Sequence, residues 1–296
     1  MILDPAVTTD NESYRVTGQC LESLYQYEPR TTNPIPALAV GCQSSQNATV
    51  WTCTLREDVK FHDGTDFDAD AVIFNFERWR FSDHPYHSES QMFASYEYVW
   101  GGIDNSSVIT SVTKLTDHKV KFTLTEPMAP FLANLAMNAF AISSPAAIQN
   151  YGEAYGLPGA GCIGTGPFKF REWVQGDHIT LEAFEGYWGG RPTIDEVTWR
   201  VIPDDAFRFL TLRAGDIHAM DHATAQDLAA AEADPKLTVL IRPTLNTDQL
   251  AFNYMIEEFR DVRVREAVAH AINRQALVEG PQGETSEVAR NPLPSV

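Results

Sequence analysis

The sequence predicts an α/β or α+β fold with more than one sheet, and three observations carry that reading. Short strand-like runs are mixed irregularly with a few capped helical segments. The length of 296 residues suggests two domains at about 100–200 residues each. Apolar residues make up 44% and aromatics 11% of the chain, enough to furnish a sizeable core and too many for a disordered polymer.

In chain order, the first strand signal is 49–56, Thr-Val-Trp-Thr-Cys-Thr-Leu-Arg. Cys42 ends the apolar segment before it, and the turn-rich stretch 43–47 lies between, so a hairpin would place Cys42 opposite Cys53. Such a pair is either a disulfide, given an oxidising compartment, or two buried thiols. Cys20 and Cys162 carry no CxxC spacing and read as buried thiols. Asp68 is placed to cap a helix over 69–79, where Val72, Ile73 and Phe76 share a face. Further strands are expected at 119–125, 167–173, 178–182, 196–202, 237–241 and 250–253. Thr224 and Asp227 resemble a capping box ahead of 228–233, with Asp in place of the usual Glu. Asp261 opens the strongest helical pattern, with Val264, Ala267, Val268, Ala271 and Ile272 on one stripe and Gly280 as its stop; that stripe needs a partner. The glycine-rich run 151–166 is the best place for a crossover between domains.

A net charge of −18 repels the phosphate backbone, which argues against nucleic-acid binding. The most apolar window, 129–148, is interrupted by Asn134, Asn138, Ser143, Ser144 and Pro145, which is too polar for a bilayer span. The first residues lack the basic start and apolar stretch of a secretory signal, so the chain is either cytosolic or has lost its leader.

Several chemical motifs do not survive their context. Gly159-Ala-Gly-Cys-Ile-Gly164 has the GxGxxG spacing, but Leu157-Pro158 precedes it and a turn into a strand follows, where a dinucleotide site needs a strand before and a helix after. His84-Pro-Tyr-His87 cannot share a helical face. Asp63, Asp66, Asp68 and Asp70 lack the glycine and terminal Glu of a calcium loop, and a turn with a helix N-terminus accounts for them. The sequons at Asn47 and Asn105 arise by chance in most chains of this length. No cofactor is implied and nothing demands an enzyme; a hydrolytic or metal enzyme using His62 and Asp63 is the rival from another class.

The ordered segments Pro36-Ala-Leu-Ala39, Trp51-Thr-Cys-Thr-Leu-Arg56, Val59-Lys-Phe-His-Asp-Gly64 and the run from Phe67 to Arg78 resemble the signature region of the solute-binding protein family 5. The resemblance continues through Pro130-Phe131, Ser144-Pro145, Gly164-Thr-Gly-Pro-Phe-Lys-Phe170, Tyr187-Trp-Gly-Gly190, Leu212-Arg-Ala-Gly-Asp-Ile217, Ala251-Phe-Asn253 and Val262-Arg-Val-Arg-Glu-Ala-Val268. It implies an α/β clamp of the periplasmic-binding-protein type II (cluster C). Residues 1–35 would begin lobe I, 36–163 form the extra subdomain, 164–254 return to lobe I and 255–296 begin lobe II. Family members are substantially longer, so the second lobe is expected to be largely missing.

As function, the resemblance implies a non-enzymatic receptor that captures di- or oligopeptides and delivers them to the membrane permease of an ABC importer. Nickel, haem or oligosaccharide is the alternative ligand within the family, and a non-binding scaffold is a further reading of so short a chain. An extracytoplasmic, lipid-anchored location through a leader absent from this chain, and a monomeric state at full length, are implied with it. By position, the resemblance places Glu22 and Leu24 in the first cleft-facing segment, with a surface helix end as the alternative, and Phe93 and Tyr96 at an aromatic lip, with core packing as the alternative for Phe93. It places Asn246 and Thr247 near a lobe hinge and His222 on the floor. The aspartate that holds a peptide's amino terminus in many family members lies outside this sequence.

Overall fold

The computed structural model describes residues 1–88, 91–241, 247–279 and 286–291. The chain divides into two compact units, Met1–Val201 and Ile202–Val296.

The first unit begins with α1 (Asn11–Cys20), whose N-cap Asp10 accepts the Ser13 N–H. A small sheet pairs β1 (Tyr25–Tyr27) with β2 (Pro34–Pro36). β3 (Ala39–Ser45) and β4 (Val50–Leu55) make the expected hairpin. Its tip, Gln46, Asn47 and Ala48, turns through positive φ, and Cys42 faces Cys53 in register. The structure joins those two as a disulfide with their Cα atoms 4.0 Å apart. Helix α2 (Ala69–Arg80) starts where the pattern places it, with the Asp68 carboxylate accepting the Ala71 N–H. After α3 (Ala94–Trp100), strands β5 (Ile109–Thr116) and β6 (Lys119–Leu124) complete an antiparallel sheet of order β3-β4-β6-β5. α4 (Phe131–Leu135) and α5 (Pro145–Tyr151) follow. Phe76, Trp79, Phe122, Phe131 and Phe140 interlock in the core beneath this sheet.

A second sheet consists of β7 (Phe168–Val174), β8 (His178–Ala183) and β9 (Glu196–Arg200) in that order, all antiparallel. Its inner face, Phe168, Ile179, Leu181 and Ala183, shares a separate core with Leu3, Val16 and Leu21. The glycine-rich run leaves α5 through a single 3-10 turn at Gly152–Ala154 and then connects the two cores with no further helix before β7. At Gly161, φ is +62 and an added Cβ would fall 2.2 Å from the Phe170 ring, so only glycine fits. Close packing therefore accounts for Gly161 and, against Cys20 and Leu21, for Gly164, whereas Gly159 has open space around it. Cys20 and Cys162, expected as buried thiols, are instead paired in a second disulfide that ties the end of α1 to this crossover.

The second unit contains α6 (Asp205–Ala214), α7 (Ala225–Glu232), α8 (Val262–Ala271) and α9 (Arg274–Glu279). The capping box at Thr224 and Asp227 forms as expected. Two expectations fail. Residues 237–241 and 250–253 are not strands, because among the described residues no partner strand stands beside them; Leu240 is 86% exposed. The last helical stripe breaks at Ile272, with α9 restarting beyond it under an Asn273 side-chain cap, and none of the residues of α8 is fully buried. Gly280 lies outside the described residues. Among the described residues, no helix is long and apolar enough to cross a membrane.

Candidate functional site

A cavity of about 300 Å3 opens in the first unit where α1 ends and the chain turns toward β1. Glu22, Ser23, Tyr25, Gln26, Asn138 and Tyr187 supply its polar wall, the Tyr25 hydroxyl accepting the Cys42 N–H at 2.9 Å, and Leu21, Ala37, Ala136 and Pro167 are among its apolar residues. The backbone around Glu22 is held on both sides. Its carbonyl accepts the Ile142 N–H at 2.9 Å, and the Ser23 and Leu24 carbonyls accept N–H groups from Ala37, Leu38 and Ala39.

Glu22 is the most highly connected side chain of the site. Its Oε2 accepts from the Thr165 hydroxyl and the Trp188 indole N–H, both at 2.8 Å, and its Oε1 accepts from the Tyr187 hydroxyl at 2.9 Å. The Arg56 guanidinium lies 4.0 Å from the Trp188 ring centre and contributes its charge. Burial pushes the Glu22 carboxyl above its ordinary range, opposed by those three hydrogen bonds and by Arg56. The Tyr187 hydroxyl is pushed up as well, by burial first and then by the neighbouring Glu22 charge.

Of the other residues proposed from sequence, those in the first unit lie away from this cavity. Leu24 is buried in the core. Phe93 stacks on His87 at 4.3 Å, and the Tyr96 hydroxyl pairs with Ser107 at 3.0 Å; both side chains are buried in the first core and neither lines the cavity. In the second unit His222 is exposed, its carbonyl within 3.5 Å of Arg208, and Thr247 is partly buried. Asn246 lies outside the described residues. Tyr187 and Trp188 carry a family motif in the sequence, but nothing in their local pattern points to Glu22, 165 residues away for Tyr187.

His62 and Asp63, the candidates for hydrolytic chemistry, are engaged in tying loops together. The His62 ring takes the Gly166 carbonyl at 2.9 Å and the Gly164 N–H at 3.3 Å. Asp63 accepts from Ser144 and Thr65. Of the neighbouring carboxylates, Asp66 pairs with Lys60, Asp68 caps α2 and Asp70 pairs with Lys114.

The profile of the bacterial extracellular solute-binding proteins, family 5 (middle region), matches residues 33–296. The chain belongs to family 5. As a family 5 protein it is 32% identical to the dipeptide-binding protein of Escherichia coli and 32% identical to haem-binding protein A of Haemophilus influenzae, each match covering 98% of this chain. It covers 56% and 54% of those two proteins, so the chain spans little more than half the length of these relatives. Among solved structures, the ABC transporter-associated periplasmic binding protein DppA of Helicobacter pylori, in complex with the peptide STSA, superposes with a TM-score of 0.85 at 31% identity. That comparison covers 99% of this chain and 58% of the other. The mixed helix and sheet architecture is thus that of family 5 binding proteins.

Proposed function

We propose that this chain is the ligand-holding portion of an extracytoplasmic receptor that captures di- or oligopeptides, leaves them chemically unchanged and hands them to an ABC permease. One observation carries the reading: the cavity beside the backbone of Glu22 and Ser23 sits in a fold that superposes on a peptide-bound binding protein. The polar wall of the cavity suits a ligand such as a peptide, which carries its own N–H and C=O groups. The residue roles drawn from the family for Glu22, Leu24, Phe93, Tyr96, His222, Asn246 and Thr247 belong to this proposal, as do the lobe boundaries and lipid anchoring. The extracellular description of the family and the two disulfides support an oxidising, extracytoplasmic setting.

Calorimetry with di- to pentapeptides, followed by mass spectrometry of the recovered ligand, tests it. Binding with the peptide returned intact is expected. Turnover, or binding of no peptide, would overturn the reading. The 32% identity to a haem-binding protein favours haem as a second reading, and a haem titration followed in the Soret region separates the two.

A further inference from the structure

Three hydrogens that could have served a ligand are spent on one carboxylate. The hydroxyls of Tyr187 and Thr165 and the indole N–H of Trp188 all point at Glu22. A phenol has a single hydrogen and two lone pairs, so a tyrosine that donates to a carboxylate can only accept from anything else. Tyr187 also lines the cavity. Nearby, the Ser23 hydroxyl donates to the Met137 carbonyl at 3.0 Å and is likewise left as an acceptor. Among the described residues of the lining, Glu22 is the sole charged side chain, and no lysine, arginine or histidine is present to receive a carboxylate.

We propose that Glu22 is a positioning residue that fixes the Tyr187 hydroxyl as an acceptor, so that the cavity selects a ligand group bearing an amine or amide N–H. The inference rests on the solute-receptor reading above. The bracing is rigid because it is shared. Rotating Tyr187 alone would forfeit one of the bonds that Glu22 accepts, and rotating Glu22 would forfeit all three. The Arg56 guanidinium lies over the Trp188 ring, and its Nε donates to the carbonyl of Ala37, itself a lining residue, at 2.6 Å. A glutamine at position 22 would offer its own N–H donors to the same ring of groups, which frees the tyrosine hydroxyl to turn its hydrogen toward the cavity.

The test uses tri-alanine and a set of analogues in which each amide N–H is methylated in turn and the terminal amine is replaced by hydrogen. Affinities are compared for the unaltered chain, Glu22→Gln and Tyr187→Phe. One analogue is expected to lose about tenfold in affinity on the unaltered chain, with that penalty shrinking to about threefold or less in both variants. Equal penalties in all three proteins would overturn the proposal. Independently, the 15N–1H indole resonance of Trp188, assigned through Trp188→Phe, is expected to move in Glu22→Gln; an unmoved resonance also overturns it. If the unaltered chain binds no peptide, the receptor reading fails, and the indole measurement alone then decides the positioning role. Should Glu22→Gln fail to fold, Tyr187→Phe carries the comparison.

Discussion

His62 shows what one residue does when a loop closes around it. Its ring bonds and its own N–H, which donates to the Gly164 carbonyl at 2.8 Å, join the 59–64 segment to the crossover on both sides of Thr165. Only a neutral imidazole can accept the Gly164 N–H while donating to Gly166. Burial is the main cause that pushes its pKa down to about 4; the nearby Lys169 acts in the same direction, while the Gly166 bond and Asp63 oppose it. In the unfolded chain the imidazole titrates near its ordinary value of about 6.5. Between those two values the unfolded state binds more protons, so stability is complete above about pH 6.5 and falls as the pH drops toward 4. The expected loss across that window is at most about 3 kcal/mol. Urea denaturation at intervals from pH 4 to 7 checks it. In His62→Gln, which can still donate to one carbonyl and accept one N–H, that part of the slope should vanish; a slope equal to that of the unaltered chain would show that His62 is not its source.

At the scale of elements, caps and hairpins followed local chemistry while strand pairing and crosslinks did not. Asp68, Thr224 and Asp261 begin their helices as their side chains dictate, because the cap bond reaches only two or three residues along the chain. The alternation in residues 49–56 could announce β4 for the same reason. By contrast, residues 237–241 have strand composition and, among the described residues, no strand beside them, while the polar β5 is a strand because it pairs with β6. The Cys20–Cys162 bond spans 142 residues, a separation that no local pattern encodes. Crosslinking so long a loop restricts the unfolded chain strongly. Replacing both cysteines by serine is therefore expected to cost about 3–5 kcal/mol. Chemical denaturation of the double variant against the unaltered chain measures this; a difference under about 1 kcal/mol would place the bond's effect in native-state geometry instead.

For the whole molecule, charge is the dominant global property. Asp and Glu number 40 against 22 Lys and Arg, giving −18. Local pairs such as Lys114 with Asp70 and Asp117, or Arg191 with Glu185 and Asp195, relieve part of this. The remaining self-repulsion weakens the compact state and is screened by salt, whose Debye length falls from about 10 Å at 0.1 M to about 3 Å at 1 M. The thermal midpoint at pH 7.5 is therefore expected to rise by several degrees between about 0.05 and 0.5 M sodium chloride. A midpoint unchanged or lowered over that range, read by differential scanning fluorimetry, would show that surface repulsion does not limit stability.

From sequence alone came the mixed helix and sheet class, the capped helices, the β3–β4 hairpin with its facing cysteines, and a family resemblance that named Glu22 as a site residue. Each rests on neighbours along the chain or on ordered motifs. Tertiary structure alone decided what Glu22 does. Its partners are drawn from the crossover and from the loop after β8, and a carboxylate's hydrogen bonds depend on which donors folding brings within 3 Å, a distance that sequence separation does not record.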